Sequence, residues 1–174
     1  MNPWLIAGLG SLLFFSRQAR NGGRGASTAN VTVLSGQKVS RQALVFLDRL
    51  SAKLNGLHLT VTSGIRAPED QARAMLYKFE HRGGADELRS LYRRNSDLID
   101  ELLAVEPTQA NWTAVIAGQV DRGRLLSRHL SARAVDLRTR DWDQGTTDLV
   151  QRTAASMGAN ALDEGDHLHL GLPS

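Results

Sequence analysis

The stretch SRHLSARAVDL, residues 127–137, carries the most informative pattern in this chain. Residues Arg133 to Leu137 alternate in the manner of a half-buried β-strand, whose side chains point to opposite faces in turn. Asp136 lies on this strand, and His129 precedes it by a few residues. The pattern therefore predicts a strand that presents the Asp136 carboxylate on one face, with an imidazole close by in the chain.

A second polar run, DHLH at residues 166–169, begins another alternating stretch that extends to Leu172. Because His167 and His169 are two residues apart, a strand directs both imidazoles to the same face. The chain has no cysteine, so a zinc ion would have to be held by nitrogen and oxygen ligands. We expect His129, Asp136 and His169 to hold one zinc ion, since three protein ligands leave a fourth position open, as in catalytic sites.

The remaining periodicity favours an α+β fold. Apolar residues recur at helical spacing from Ser40 to Leu54, and Pro68 provides the fixed φ that suits a first helical turn. Leu57 to Thr62 alternates like a strand. Further helices are expected over residues 86–103, 108–118 and 147–157. Together these elements predict a small antiparallel sheet flanked by helices.

The N-terminal region differs from the rest of the chain. Residues 1–16 are apolar and uncharged, which is typical of a membrane anchor or a signal-like segment; an apolar arm that packs on another protein is a further reading. Residues 17–30 form a basic, glycine-rich stretch that we interpret as a flexible linker. Residues 31–174 are then the folded domain. Arginines that follow the apolar run favour a cytoplasmic location for that domain.

The net charge of +3 does not indicate nucleic-acid binding. Arg17, Arg20 and Arg24 precede every acidic residue, and without them 18 basic residues face 18 acidic ones. The predicted folded domain is therefore neutral overall, and nucleic acid is an unlikely partner.

Two motifs and a short upstream run resemble the zinc D-Ala-D-Ala carboxypeptidase and L-alanyl-D-glutamate endopeptidase family, which shares its fold with the hedgehog signalling domain. The family motif SxHxxGxAxD corresponds to residues 127–136, and its acid-H-x-H motif corresponds to residues 166–169. The run Ser63-Gly64-Ile65-Arg66 precedes both, in the family's order. The resemblance covers residues 37–172, although 83–124 match little. Ala132 stands where the family usually has glycine.

The resemblance implies catalytic roles for three residues beyond the metal ligands. Asp166 is expected to act as the general base, with Glu164 as the competing candidate. His167 is expected to stabilise the developing oxyanion or to steady the attacking water. Arg66 is expected to grip a peptide carboxylate or the tetrahedral intermediate, and the alternative is a surface arginine that caps Ser63-Gly64.

Substrate binding is expected to involve Arg66, Ser127 and Gln71. Ser127 either contacts substrate or orients His129, and Gln71 either contacts substrate or supports the turn that carries Arg66. In the segment that matches the family least, we interpret Arg89, Arg93 and Arg94 as a solvated helix face.

These expectations indicate a zinc metallopeptidase that acts on the peptidoglycan stem peptide, as a carboxypeptidase or an endopeptidase near D-amino acids. The N-terminal segment would attach it to a membrane in the bacterial envelope or in a phage virion, where it could serve as a lytic enzyme (endolysin). The alternative is a non-catalytic, zinc-stabilised binding module anchored in a membrane or virion.

Overall fold

The computed structural model describes residues 27–173 and contains one sheet with helices on both sides. The prediction for residues 1–16, and most of that for 17–30, lies outside the described residues. The helices are α1 (Arg41–Lys53), α2 (Pro68–Lys78), α3 (Gly84–Leu91), α4 (Ser96–Leu103), α5 (Gln109–Asp121) and α6 (Gln144–Ser156). The strands are β1 (Ser27–Thr28), β2 (Val31–Val33), β3 (Leu59–Ser63), β4 (Ala134–Arg138), β5 (Asn160–Asp163) and β6 (His167–Gly171).

The α+β class is confirmed, but the expectation of an antiparallel sheet is wrong in one place. The six strands lie in the order β1-β2-β3-β4-β6-β5, and β2 pairs with β3 in parallel, whereas the other pairs are antiparallel. The reason is the helix between them: α1 returns the chain to the end of the sheet at which β2 began, as a crossover connection does. The sheet is therefore mixed.

The start of the described chain belongs to the sheet. Ser27 and Thr28 fall within the predicted linker, yet they pair with Thr32 and Val31 of β2. The Thr28 hydroxyl also contacts the Asp48 carboxylate on α1.

One face of the sheet is covered by α1 and α6. Strand residues that point to this face alternate with polar ones, as the sequence predicted. The buried residues on this side include Leu47, Leu50, Val61, Val135, Leu137, Val150, Leu168 and Leu170. Since the apolar residues of β4 and β6 face this core, the polar residues between them face the opposite side of the sheet.

Helices α2 to α5 enclose a second apolar cluster, which includes Met75, Leu88, Ile99, Trp112 and Ile116. The expected single helix over residues 86–103 is wrong. It is two helices, α3 and α4, separated by a short 3-10 turn at Arg93–Asn95. Asn95, Ser96 and Asp97 are residue types that favour helix starts over helix interiors, which is consistent with a second helix beginning here.

Among residues 27–173, none of the helices has both the length and the apolar character needed to cross a membrane.

Candidate metal centre

The polar face of β4 and β6 brings two of the predicted ligands together. Asp136 pairs with His169 across the antiparallel ladder, and Leu137 pairs with Leu168. Because the leucines point into the core, the carboxylate and the imidazole lie side by side on the other face. The predicted strand alternation thus places these two groups as expected.

His129 reaches the same point from a 3-10 turn at Arg128–Ser131, just before β4. Ser127 caps this turn, since its hydroxyl accepts a hydrogen bond from the His129 backbone N–H at 3.3 Å. The ring is buried, and its Nδ1 lies 2.6 Å from the carbonyl oxygen of Gly64. A side chain at Gly64 would not fit, because a Cβ there would lie 2.2 Å from the Lys38 carbonyl oxygen.

The three candidate ligand atoms form a tight triangle. His129 Nε2 lies 3.2 Å from Asp136 Oδ1 and 3.2 Å from His169 Nδ1, and these last two atoms are 2.9 Å apart. A tetrahedral zinc site with bonds of about 2.0–2.1 Å separates neighbouring ligand atoms by about 3.3–3.4 Å. The triangle is slightly tighter than that, and its size suits a single small cation. His129, Asp136 and His169 can therefore hold a metal ion.

Proton positions support the same conclusion. A carbonyl oxygen only accepts, so the contact with Gly64 assigns the proton of a neutral His129 ring to Nδ1. Burial lowers the pKa of His129, although Asp136 opposes this shift, so the neutral ring is favoured. Its Nε2 then points a lone pair at Asp136 Oδ1, which also carries only lone pairs. A cation between these atoms would satisfy both.

Arg66 holds the other carboxylate oxygen of Asp136. Its Nη2 donates to Oδ2 at 2.6 Å, its Nε donates to the Ser63 hydroxyl at 2.9 Å, and its Nη1 lies 3.5 Å from Gln71 Oε1. Burial alone would raise the pKa of Asp136, but the two histidines and the guanidinium beside it hold that pKa well below its ordinary value. Asp136 is therefore an anion at neutral pH.

Gln71 lies beneath the cleft rather than in its wall. The side chain is fully buried, and its amide nitrogen donates to the Tyr92 hydroxyl at 3.3 Å. A direct contact between Gln71 and a bound molecule would require this amide to move. Tyr92 was not anticipated from the sequence; burial raises its pKa, so it remains a neutral phenol.

His167 lies next to the triangle and is flanked by acidic groups. Its Nδ1 is 2.7 Å from Asp166 Oδ1, and its Nε2 is 3.7 Å from Asp136 Oδ1 and 3.5 Å from Glu164 Oε2. Asp166 also contacts Arg82 at 3.0 Å. Although burial opposes it, these neighbours lower the pKa of Asp166.

The two candidate bases differ in their surroundings. The Asp166 side chain is 62% exposed and contacts the nitrogen of His167 that faces away from the triangle. Glu164 is 11% exposed, forms an ion pair with Lys78 at the end of α2, and approaches the nitrogen that faces the triangle. Both carboxylates are therefore coupled to the same imidazole.

A cleft of about 1360 Å³ lies between the polar face of the sheet and the helical segment, and the ligand triangle opens onto it. Its lining includes Arg66, Ser127, Asp166 and His167, together with the turn that separates α3 from α4. Trp112 does not contribute to it, because its ring is buried in the helical cluster.

Ala132 ends the turn that carries His129 and adopts a left-handed conformation, with φ 59° and ψ 23°. Its backbone N–H donates to the His129 carbonyl oxygen at 3.3 Å, and its own carbonyl oxygen accepts from the Ser40 hydroxyl at 3.1 Å. A positive φ is the condition under which glycine would be favoured at this position.

Comparison with known proteins identifies no relative: no protein-family model, curated protein or solved structure matches this chain.

Proposed function

We propose that this chain is a zinc-dependent peptidoglycan peptide hydrolase, a carboxypeptidase or endopeptidase that cleaves near D-amino acids in the stem peptide. The observation that carries the proposal is a triangle of three ligand atoms on an open cleft. Arg66 holds Asp136 Oδ2, so this carboxylate offers one oxygen to a metal. With two imidazole nitrogens it forms a set of three ligands, which leaves one tetrahedral position for substrate or water.

A zinc ion in this triangle would polarise a peptide carbonyl and activate the attacking water. The chain's own residues must then move a proton and stabilise negative charge. We assign the proton transfer to Asp166, and we assign hydrogen bonding to the developing oxyanion to His167. The contact between Asp166 and His167 Nδ1 directs the other ring nitrogen toward the ligand triangle.

Arg66 and Gln71 act in this proposal as positioning residues. Arg66 fixes the Asp136 carboxylate, Gln71 fixes Arg66, and Ser127 fixes the turn that carries His129. A bidentate grip of Arg66 on substrate would use guanidinium N–H groups that point away from these partners.

The test is turnover of purified peptidoglycan by the full-length chain, measured as the mass of the released peptides. We expect activity with added zinc, loss of activity with a chelator, and recovery when zinc is restored. The masses identify the bond that is cut. Tight zinc binding without turnover would instead favour the binding module anchored in a membrane or virion.

The assignment of the base is tested with two isosteric substitutions. Because Asp166 is mostly exposed, Asp166→Asn should leave folding and zinc binding unchanged while reducing turnover at least about a hundredfold, the typical effect of losing a general base. Glu164→Gln is the matched comparison. Loss of turnover in Glu164→Gln alone would transfer the role of base to Glu164.

The proposed place of action, a bacterial envelope or a phage virion with residues 1–16 in a membrane, rests on the sequence pattern. Fractionation of the full-length chain with and without those residues tests it: membrane association should require them.

A further inference from the structure

The cleft carries a charge that the described chain as a whole does not. Residues 27–173 contain equal numbers of basic and acidic side chains. The cleft is lined by eight basic and four acidic side chains, a formal excess of four positive charges. The rest of the described chain must therefore carry the opposite excess. Such a distribution concentrates anions in the cleft and keeps them from the remaining surface.

The four acidic side chains of the cleft pair with only four of its eight basic ones. Asp70, Asp136, Glu164 and Asp166 each contact a different basic residue of the same cleft. Four basic residues remain: Lys38, Arg93, Arg94 and Arg128. Arg128 donates to the Leu172 carbonyl oxygen at 3.1 Å. Within residues 27–173, the charged groups of Lys38, Arg93 and Arg94 have no hydrogen-bond or ion-pair partner.

Arg93 and Arg94 are carried by a turn that is fixed to the metal centre at both ends. Before the turn, the Tyr92 hydroxyl accepts from Gln71, which in turn contacts Arg66. After it, Asn95 Nδ2 donates to the Leu126 carbonyl oxygen at 3.1 Å, one residue before the Ser127 cap of the His129 turn. The backbone that carries these two adjacent, exposed arginines is thus anchored at the cleft wall.

The arginine that the sequence favoured for binding a substrate carboxylate is already engaged. All three nitrogens of Arg66 contact protein groups, and its closest partner is the buried Asp136 carboxylate. Among the described residues that line the cleft, the basic side chains without any hydrogen-bond or ion-pair partner are Arg93, Arg94 and Lys38, so these offer a substrate carboxylate uncommitted positive charge.

We propose that the Arg93–Arg94 turn determines specificity by binding the free carboxylates of an acidic peptide substrate. This inference rests on the proposed peptidase function and names the chemistry of its substrate. Guanidinium groups bind carboxylates in a bidentate fork, so two neighbouring arginines suit a chain with more than one carboxylate. Nucleic acid fits less well, because the surface outside the cleft has an acidic excess.

The experiment measures binding of a fluorescent stem peptide with free carboxylates to the full-length chain, in chelator so that no cleavage occurs. The comparison ligand is the same peptide with every carboxylate converted to carboxamide. We expect the double variant Arg93→Gln/Arg94→Gln to bind the acidic peptide about tenfold more weakly, at unchanged melting temperature. The carboxamide peptide should bind to the double variant and to the parent protein with the same affinity.

Arg152→Gln is the control, since Arg152 is exposed on α6, lies outside the cleft and has no partner within the described residues. It should bind both peptides as the parent does. Equal losses in the control and the double variant, or equal losses for both peptides, would overturn the inference. So would tighter binding of a single-stranded oligonucleotide than of the acidic peptide.

The two proposals fail in different ways. If the parent binds the acidic peptide through Arg93 and Arg94 but never cleaves peptidoglycan with zinc, the anion site stands and the hydrolase is overturned. If it cleaves peptidoglycan while the double variant has unchanged binding and unchanged KM, the hydrolase stands and the role of the turn is overturned.

Discussion

Replacement of Ala132 by glycine should stabilise the protein, even though glycine substitutions usually destabilise. Ala132 has φ 59° and ψ 23°, where the Cβ of an L-residue crowds the following carbonyl oxygen. That crowding costs about 1–2 kcal/mol, and glycine does not suffer it. The backbone hydrogen bonds of Ala132 to His129 and Ser40 do not involve the methyl group, so the variant retains them.

Glycine also increases the conformational entropy of the unfolded chain, which opposes folding by about 0.4–1 kcal/mol. The net gain in the free energy of unfolding therefore lies between about 0 and 1.6 kcal/mol, with a midpoint of about 0.8 kcal/mol. At that midpoint, the melting temperature of a domain of this size rises by about 2–3 °C. The gain is positive because the strain that glycine relieves exceeds the added entropy of the unfolded chain.

Urea denaturation of the metal-free protein measures this free energy. The control is Ala114→Gly at an exposed position in the interior of α5, where glycine should destabilise by about 1 kcal/mol. Opposite signs at the two positions are expected. A loss of stability of similar size in Ala132→Gly and Ala114→Gly would refute the argument and would mean that Ala132 is not held in the left-handed conformation.

Three further predictions concern residues of the metal centre and the side chains that support it. Gly64→Ala should destabilise by more than about 2 kcal/mol in urea denaturation and weaken zinc binding, because its Cβ would lie 2.2 Å from a backbone oxygen. Gly118→Ala should do neither, because a Cβ at that position of α5 would meet only the flexible end of the Arg122 side chain, at 3.4 Å. Tyr92→Phe removes the hydroxyl that accepts a hydrogen bond from the buried Gln71 amide, and it should lower the free energy of unfolding by about 1–2 kcal/mol in urea denaturation. An unchanged free energy of unfolding would contradict this prediction and would mean that water takes the place of the hydroxyl. The metal-free protein should lose stability as the pH falls below about 6.5, because a histidine of the unfolded chain then binds a proton, whereas burial lowers the pKa of His129 in the folded protein. His129→Gln should reduce this pH dependence of the free energy of unfolding. The same pH dependence in the parent and in the variant would contradict the prediction.

The sequence predicts the part of the site that depends on strand alternation. Asp136, His167 and His169 point away from the core because their neighbours are apolar, and this can be read residue by residue. His129 could not be placed in this way, since it lies on a turn, and its position follows from the Ser127 cap and the Gly64 carbonyl.

The parallel pairing of β2 was not predictable from local pattern, because a strand of three residues carries little alternation signal. The break between α3 and α4 was missed for a different reason. Arg89, Arg93 and Arg94 share a helical spacing, which is typical of a solvated helix face and gives no sign of a break. The break instead places Arg93 and Arg94 at the cleft, and the residues on either side of them, Tyr92 and Asn95, are held by contacts with residues far away in the sequence.

The cleft uses two kinds of interaction for two tasks, namely holding a metal ion and attracting an anionic peptide. An excess of positive charge in the lining opposes the approach of a divalent cation, so the ion must be held by the short contacts of the ligand triangle. Those contacts are buried and little affected by salt, whereas the field of the exposed arginines is screened beyond about 8 Å at physiological ionic strength. Metal binding should therefore depend on the geometry of the three ligand atoms. Binding of an anionic peptide should depend on ionic strength and weaken as the salt concentration rises. The Asp136–Arg66 pair serves the first task through geometry, because the guanidinium holds one oxygen of the buried carboxylate in place and leaves the second oxygen to the metal.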